Sequence, residues 1–462
     1  MRWAQLPTSG LRRSLFVAAE SVILVAAFAV AVLLRHGAAE AQELPLLVPK
    51  ALIAALVLQL ALYYADLYDE YTSAARAQLL LRLAQAFLGA TVALAAIFYS
   101  LPALRFGRGV IGLLLPLALV GVFLWRVGCQ RFWGQDVLKE NILILGTGFG
   151  AQDLARETLE RARLEFRIAG FVGEDASEVG RRLVNPSVIG TLDQVPALVE
   201  NEKIDLVVVA LDDLRGRLPV SELLRCRMAG VHVEDAATFL ERLTGKILVR
   251  DLRPSWFVFS QGFKRDRIYD RSKQILELLG SFVGLVLVAP VLGLLALLVR
   301  LDGGPVLYRQ ERVGLRGRLF RLYKLRTMRE DAESRTGPVW SRRDGDERVT
   351  QLGWVLRKLR LDEIPQLFNV LRGEMSFVGP RPERPHFVEK LRAVIPNYDE
   401  RHSVKPGITG WAQIKFGYGS NLEDAEEKLQ YDLYYIKHRS WVFDLQILLH
   451  TVKVMALGRG AR

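Results

Sequence analysis

Four apolar runs occupy the first 130 residues, at 15–34, 46–65, 79–101 and 110–127, and they decide what this chain can fold into. Each is long enough to cross a hydrocarbon core of about 30 Å as a helix. A backbone in lipid has no water to bond, so its N–H and C=O groups must pair within the segment. Two ionisable residues, Glu20 and Arg82, stand inside these runs. Either they face the interior of a helix bundle or they sit near an interface and snorkel. Arg12 and Arg13 precede the first run, and Arg126, Arg131 and Lys139 flank the end of the fourth, which by the positive-inside tendency puts both ends of the bundle in the cytoplasm. No small-residue cleavage pattern follows the first run, so it reads as an uncleaved anchor.

At 462 residues the chain exceeds one core, and two to four units are expected. Its 51% hydrophobic and 24% charged residues fit a protein partly in lipid and partly in water. From Lys264 onward there are 35 Lys and Arg against 24 Asp and Glu, whereas the preceding residues hold 27 against 26. The basic excess therefore belongs to the C-terminal part, whose partners should be anionic. Two cysteines, Cys129 and Cys226, exclude a disulfide framework or a cysteine-rich zinc cluster.

From Asn141 the pattern changes to strand–helix alternation: strands at 142–145, 166–172 and 206–211, with a helix from Ala151. Between the first strand and that helix stands Gly146-Thr-Gly148-Phe-Gly150-Ala151, and Glu174 and Asp175 follow the second strand. This is G-x-G-x-x-A in its required context, so a Rossmann-like unit is expected over 140–235. Gly146, Gly148 and Ala151 are its candidate nucleotide-binding positions; the same residues also serve close strand–helix packing. A regulatory nucleotide is the ligand such a unit would take.

A link follows at 236–263, and then a fifth apolar run at 275–299, interrupted by Gly280, Gly284, Pro290 and Gly293. Its length would span a bilayer. A full span would, however, carry the basic C-terminal part outside, away from cytoplasmic phosphates. A helix bent at Pro290, entering and leaving by one face, removes the conflict. Between Arg300 and Arg329 there are nine basic residues and two acids, interleaved with Leu307, Tyr308, Phe320, Leu322 and Tyr323. Such a stripe suits a membrane surface carrying phosphates. Nucleic acid is the rival partner, and the adjoining membrane helix argues against it.

Chemistry concentrates at Arg357-Lys-Leu-Arg-Leu-Asp362-Glu363-Ile-Pro365 and at Gly379-Pro-Arg381. On a helix, neighbours point about 100° apart, so Asp362 and Glu363 cannot act as a facing pair. One can reach a phosphorus while the other binds metal or orients a partner. Arg357, Lys358 and Arg360 would lie within one and a half turns, and guanidinium groups match phosphate oxygens. Asp-Glu alone is also a common solvated pair.

The runs Tyr308-Arg-Gln-Glu-Arg-Val-Gly314, Leu322-Tyr-Lys324-Leu-Arg326-Thr-Met328, Leu356 through Leu367, Gly373 through Glu383 and Lys405-Pro-Gly-Ile-Thr409-Gly410-Trp411-Ala412 resemble the bacterial sugar transferase family, the monotopic phosphoglycosyl transferases. The N-terminal layout is similar to the large, exopolysaccharide-type members. The resemblance implies attack by Asp362 on the sugar-linked phosphorus of a UDP-hexose, release of UMP, and passage of the phosphosugar to undecaprenyl phosphate. It further implies Mg²⁺ at Asp362 and Glu363, and phosphate contacts from Arg357 and Arg381 and from Lys324 and Arg326 of a shared motif. A re-entrant membrane helix broken at Pro290 belongs to the same pattern, although some relatives place Ser where this chain has Ala289.

The implied fold class is membrane α plus α/β. It comprises four transmembrane helices (1–130), the Rossmann-like domain (140–235), the link (236–263), a re-entrant membrane helix (264–301) and a mostly helical α+β catalytic domain (302–462). Membrane lipids are expected partners, a homodimer is a further expectation, and the location would be a bacterial inner membrane, multi-pass, with soluble domains facing the cytoplasm.

Tyr269-Asp-Arg-Ser-Lys273 reads as the Y-x-x-x-K of short-chain dehydrogenases, but lies after the Rossmann-like unit at the mouth of the membrane helix. It is taken as coincidence. This weighs against a membrane-tethered NDP-sugar dehydratase or epimerase, and the intact Asp362, Glu363, Arg357 and Arg381 weigh against a non-catalytic scaffold. His386 and His402 either line the substrate side or, as expected, lie at the surface, and Tyr431, Tyr434, Tyr435 and Trp441 lie either in the core or at a membrane interface. The residues from Trp441 on read as a closing helix.

Overall fold

The computed structural model describes residues 8–43, 47–65, 67–68, 76–105, 107–133, 139–162, 165–213, 217–249, 262–263, 266–329, 348–416 and 421–456. The chain divides into two compact units, 1–207 with 211–233, and 234–462 with 208–210.

Helices α1 (Thr8–Glu43), α2 (Leu47–Tyr64), α3 (Arg76–Ser100) and α4 (Arg108–Trp133) form a bundle in which α1 packs on α2 and α4, and α3 on α2 and α4. The helical conformation of α1 is interrupted at Gly37, whose φ of 75° is open to glycine without strain. Leu24, Phe28, Leu58, Leu62, Leu83 and Leu114 are buried between the helices, while Val22, Leu56, Leu88 and Leu124 point outward. Apolar residues on both faces are the signature of helices surrounded by lipid. Five described helices are long and apolar enough to cross a membrane: these four and Arg267–Leu301.

Glu20 does not snorkel. It is fully buried, with Arg126 Nε 2.8 Å from its Oε1, and Tyr68 donates its hydroxyl hydrogen to Oε2. Arg126 also donates to the Leu67 carbonyl at 2.7 Å. One charge pair thus ties α1 to α4. Arg82 is half-buried.

Strands β1 (Glu140–Leu145), β2 (Phe166–Gly173), β3 (Val188–Thr191), β4 (Leu206–Val209) and β5 (His232–Asp235) make a five-stranded sheet in the order β3-β2-β1-β4-β5. β1 pairs parallel with β2, and β2 with β3. Ile142 to Leu145 are fully buried, as a strand covered on both faces requires. Helices α5 (Phe149–Arg161), α6 (Val195–Asn201) and α7 (Val220–Met228) connect the strands. The order reverses between β1 and β4, and the loop Gly146–Gly148 leaves β1 at that point, where open α/β sheets hold ligands.

The segment read as a link is structured where it is described. Asp235 caps α8 (Ala236–Thr244) by accepting the Thr238 N–H, Gly245 closes it in the left-handed region, and Ile247 and Val249 enter the core of the second unit. Residues 250–261 lie outside the described ones.

Helix α9 (Arg267–Leu301) runs through Pro290 without interruption. At 1.5 Å per residue its 35 residues span about 52 Å. Leu279, Phe282, Val283, Val286 and Leu287 are exposed, whereas Tyr269, Lys273, Glu277 and Ser281, four residues apart, form one buried stripe.

The hairpin β6 (Leu307–Val313) and β7 (Leu319–Leu325) is followed by α10 (Gln351–Lys358), α11 (Gln366–Leu371), β8 (Ser376–Val378), α12 (Pro385–Val394), β9 (Gly407–Thr409), α13 (Trp411–Lys415), α14 (Leu422–His438) and α15 (Trp441–Ala456). Tyr431 and Tyr435 are core residues, while Trp441 is 42% exposed and packs edge-on against Tyr269. β8 and β9 are parallel, and their backbones approach so closely that a Cβ on Gly379 would collide with the Lys405 carbonyl, and one on Gly410 with the Gly379 carbonyl. His386 is exposed as expected; His402 is not. It is buried in the turn Tyr398–Ser403, its Nδ1 3.6 Å from Asp399.

Replacing Arg126 by Met strands Glu20 without its counter-charge, and stability should fall by about 3–5 kcal/mol. The double variant Glu20→Gln/Arg126→Met should regain most of this, as read by the unfolding midpoint of the detergent-purified protein. Burial and the nearby Arg401 lower the His402 pKa from 6.5 to about 4. The unfolded chain therefore binds more protons between these values, so stability drops as pH falls from about 6.5 to about 4, by up to about 3 kcal/mol. A plot of unfolding midpoint against pH should flatten there in His402→Gln; an unchanged slope would assign the acid sensitivity elsewhere.

Candidate active site

Helix α10 starts at Thr350, whose hydroxyl accepts the Gly353 N–H at 3.0 Å, and stops at Lys358. Arg360 then adopts a left-handed conformation, φ 54°, and Leu361–Glu363 forms a 3-10 turn. The carboxylates are therefore not on the continued helix that the spacing suggested. A left-handed non-glycine residue is mildly strained, and it aims the two acids inward. Asp362 is 7% exposed and Glu363 9%.

Three cations surround Glu363. Lys324 Nζ, from the end of β7, lies 2.9 Å from Oε1; Arg381 Nη2 lies 3.5 Å from Oε1; Arg360 Nη1 lies 3.6 Å from Oε2. Burial pushes the Glu363 carboxyl up, but Lys324, Arg381 and Arg360 overcome this and hold it well below the usual carboxylate range. Asp362 moves the other way. Burial raises it, Glu363 adds to the rise, and Lys324, Arg357 and Arg381 oppose without cancelling it. Two adjacent acids thus differ in kind: one a fixed anion, the other a carboxyl whose charge calls for a further cation or a polar ligand.

The structure gathers Asp362, Glu363, Lys324, Arg357 and Arg381. Arg357 acts on Asp362 electrostatically while its Nε donates to Thr327 Oγ1 at 2.9 Å. Gly353 makes this possible, because a Cβ there would strike the Thr327 backbone. Arg381 follows β8 and also donates to Gln413 Oε1 at 3.2 Å. Arg326 stands apart. It is buried, donating from Nε to the Pro305 carbonyl and from Nη2 to the Val299 carbonyl, both at 3.0 Å, so it caps the C-terminal end of α9. Pro290 is exposed within α9.

Two hydrogen-bond networks that sequence reading missed hold these parts. Lys273 on α9 donates to Asp444 Oδ2 at 2.7 Å, to the Tyr435 hydroxyl at 2.9 Å and to the Val378 carbonyl at 3.1 Å. One turn on, Glu277 accepts the Ser376 hydroxyl and, at 3.0 Å, the Phe377 N–H. The membrane helix therefore grips β8, the strand leading to Arg381. Tyr269 and Lys273 are indeed close, at 3.4 Å, but as members of this packed network and not as a catalytic pair. Their signal was present: ionisable residues four apart in an apolar run need partners. Arg401 is the second support, donating to the Arg381 carbonyl at 3.0 Å and to buried Asp432 at 2.9 Å.

The donor set fits Mg²⁺. The described residues contain no group of three or more His, Cys, Asp or Glu arranged for a metal. Mg²⁺ commonly binds through one or two carboxylates, with waters and substrate phosphates completing its shell, which Asp362 and Glu363 match. The glycine loop fits a nucleotide poorly. Glu178 accepts the Thr147 hydroxyl at 3.0 Å, and Asp212 lies so close to Gly148 that a Cβ would collide with it. Ala151 is fully buried. A pyrophosphate at Gly146–Gly148 would meet two carboxylates, while Glu174 is engaged with Arg217 at 2.7 Å.

A cavity of about 250 Å³ at Arg392–Asp399 includes none of the carboxylate cluster. A groove of about 210 Å³ opens on Glu363 and Arg360.

Residues 268–458 match the bacterial sugar transferase family model, and residues 64–217 match a CoA-binding domain model. An undecaprenyl-phosphate N-acetylgalactosaminephosphotransferase of Aeromonas hydrophila is 40% identical over 56% of this chain and 60% of its own length. An undecaprenyl-phosphate glucose phosphotransferase of Komagataeibacter xylinus is 32% identical over 70% of this chain and likewise 60% of its own length. The chain thus spans less than two thirds of either relative. The UDP-glucose:undecaprenyl-phosphate glucose-1-phosphate transferase of Escherichia coli K12 is 33% identical over 71% of this chain and 70% of that protein. The solved structure of RSP with beta-NADH aligns at a TM-score of 0.19, too low to carry an argument. With the motif residues gathered around Asp362 and Glu363 inside the matched region, this chain belongs to the bacterial sugar transferase family.

Proposed function

We propose that the protein transfers a hexose-1-phosphate from a UDP-sugar to undecaprenyl phosphate on the cytoplasmic face of a bacterial inner membrane, initiating assembly of an exopolysaccharide repeat unit. The observation that carries this reading is the unequal acid pair, Glu363 ion-paired to three cations and Asp362 beside it, buried and in no ion pair among the described residues. The functions named for the relatives agree with it.

In the first step an Asp362 carboxylate oxygen attacks the sugar-linked phosphorus, the bond to the bridging oxygen breaks, and UMP leaves with that oxygen. In the second step an oxygen of undecaprenyl phosphate attacks the same phosphorus, the bond to Asp362 breaks, and the carboxylate is restored. Asp362 must be ionised to attack, and Lys324, Arg357 and Arg381 favour that form. Arg357 and Arg381 meet the phosphate oxygens where charge builds up. Glu363 orients Lys324 and Arg381 around the reacting group. Mg²⁺, when held by Asp362 and Glu363, would supply charge neutralisation on the diphosphate.

We further infer that α9, continuous through Pro290, is re-entrant in the membrane: it would enter and leave by the cytoplasmic face, bending where proline removes an intrahelical hydrogen bond. The dehydratase or epimerase reading finds no support, since Tyr269 and Lys273 are packed against Asp444 and Tyr435.

Detergent-purified protein given UDP-hexoses, Mg²⁺ and undecaprenyl phosphate should release UMP. Asp362→Asn should abolish release, and Arg381→Ala should slow it by about 10²–10³-fold. Full activity in Asp362→Asn would end the covalent mechanism. Single cysteines introduced beside Asp302 should be labelled only from the cytoplasmic side; labelling from outside intact cells would exclude the re-entrant helix.

A further inference from the structure

The groove beside Glu363 has two chemically distinct ends. At one end stand Arg360 and Glu363, with Arg381 bound to Gln413 at its edge. The Nε2 of Gln413 is buried and has no hydrogen-bond partner among the described residues. An unpaired buried donor destabilises the fold, and an anionic ligand oxygen would remove that cost. The other end is aliphatic, walled by Ile364 and Leu367, by Ile408 and Ile414, and by Met455 of α15. The two hydroxyls in the wall, Thr409 and Thr451, bond each other at 2.7 Å.

This wall suits neither a uridine nor a hexose, whose polar edges would lose water without gaining partners. A branched hydrocarbon chain with a phosphate at its head matches both ends. The groove also adjoins the membrane helix: a Cβ on Gly284 of α9 would sit 3.6 Å from Leu367 Cδ1. Leu448, Val452 and Met455 are exposed on α15, extending the apolar surface away from the carboxylates. Apolar surface therefore runs from α9 and α15 to the turn that carries the carboxylates.

We propose that this groove seats the phosphate-proximal isoprene units of the acceptor lipid, with Gln413 and the adjoining arginines receiving its phosphate. The inference rests on the transferase reading and adds to it the acceptor's position. The phosphate then lies beside the turn carrying Asp362, as the second step requires, and the wall, not the cations, selects a prenyl over a soluble phosphate.

The two half-reactions separate the inference from the reading beneath it. Exchange of labelled UMP into UDP-hexose needs no lipid and reports the first step; the KM for undecaprenyl phosphate reports the acceptor. Ile414→Trp and Met455→Trp, which fill the groove, should leave exchange within about twofold of wild type and raise the lipid KM tenfold or more. Retained exchange also shows that the variants fold. An unchanged lipid KM overturns the proposal, as does an equal loss of both half-reactions in folded protein, which would assign the groove to the nucleotide sugar. No exchange in wild type would instead refute the covalent reading. Should the bulky variants fail to fold, a benzophenone-bearing polyprenyl phosphate irradiated with wild-type protein decides the matter. Labelling within 364–367, 408–414 or 451–455 supports the groove, and labelling confined elsewhere overturns it.

Discussion

The second unit is organised around one electrostatic constraint, the burial of two adjacent carboxylates in a short turn. Burying one ionised acid requires partners, and burying two side by side requires that they be treated unequally. The chain meets this with cations from three separate elements: Lys324 from the hairpin, Arg360 from the turn itself and Arg381 from the segment after β8. All converge on Glu363. The price is that each element must be held in register by something else, and the contacts of Lys273, Glu277, Arg326 and Arg401 do that holding.

The membrane helix supplies much of it. Lys273 and Glu277 grip β8 at the Val378 carbonyl, the Ser376 hydroxyl and the Phe377 N–H, three residues or fewer from the Gly379–Arg381 corner. Arg326 holds the opposite end of the same helix through the Val299 carbonyl, two residues along the chain from Lys324. A displacement of α9 would therefore move two of the three cations around Glu363. Rigid coupling of this kind ties the geometry of the carboxylate turn to a helix long and apolar enough to cross a membrane. It also explains why an otherwise apolar helix tolerates buried polar residues, since Tyr269, Lys273 and Glu277 are each bonded within the domain.

Much of this architecture was legible in the sequence. Long apolar runs have few alternative folds, and the strand–glycine–helix pattern at 141–151 became β1, its loop and α5. The gathering of Asp362, Glu363, Arg357, Arg381 and Lys324 was likewise visible in the motifs. What escaped depends on long-range partners. No local signal stops α10 at Lys358, because the left-handed residue there is Arg360 and not glycine. Arg326 resembled its basic neighbours, and only the position of the α9 terminus separates it from them. His402 carried no mark of burial, since its surroundings come from residues folded around the Tyr398–Ser403 turn.

The glycines at β8 and β9 show how tightly backbone geometry and charge are joined here. Gly379, Gly407 and Gly410 let two strands cross closer than any side chain would permit, which brings Gln413 of α13 beside Arg381. Arg401 then fixes the Arg381 carbonyl from behind, and its own charge is met by Asp432. Arg381 is thus held at its backbone by one buried ion pair and at its guanidinium by Gln413 and Glu363, so little of its freedom remains. A long side chain otherwise gives up roughly 0.5–1.5 kcal/mol on immobilisation, and here the fold has met that cost in advance. Such preorganisation is what a cation gains from standing on a glycine-packed corner in place of an open loop.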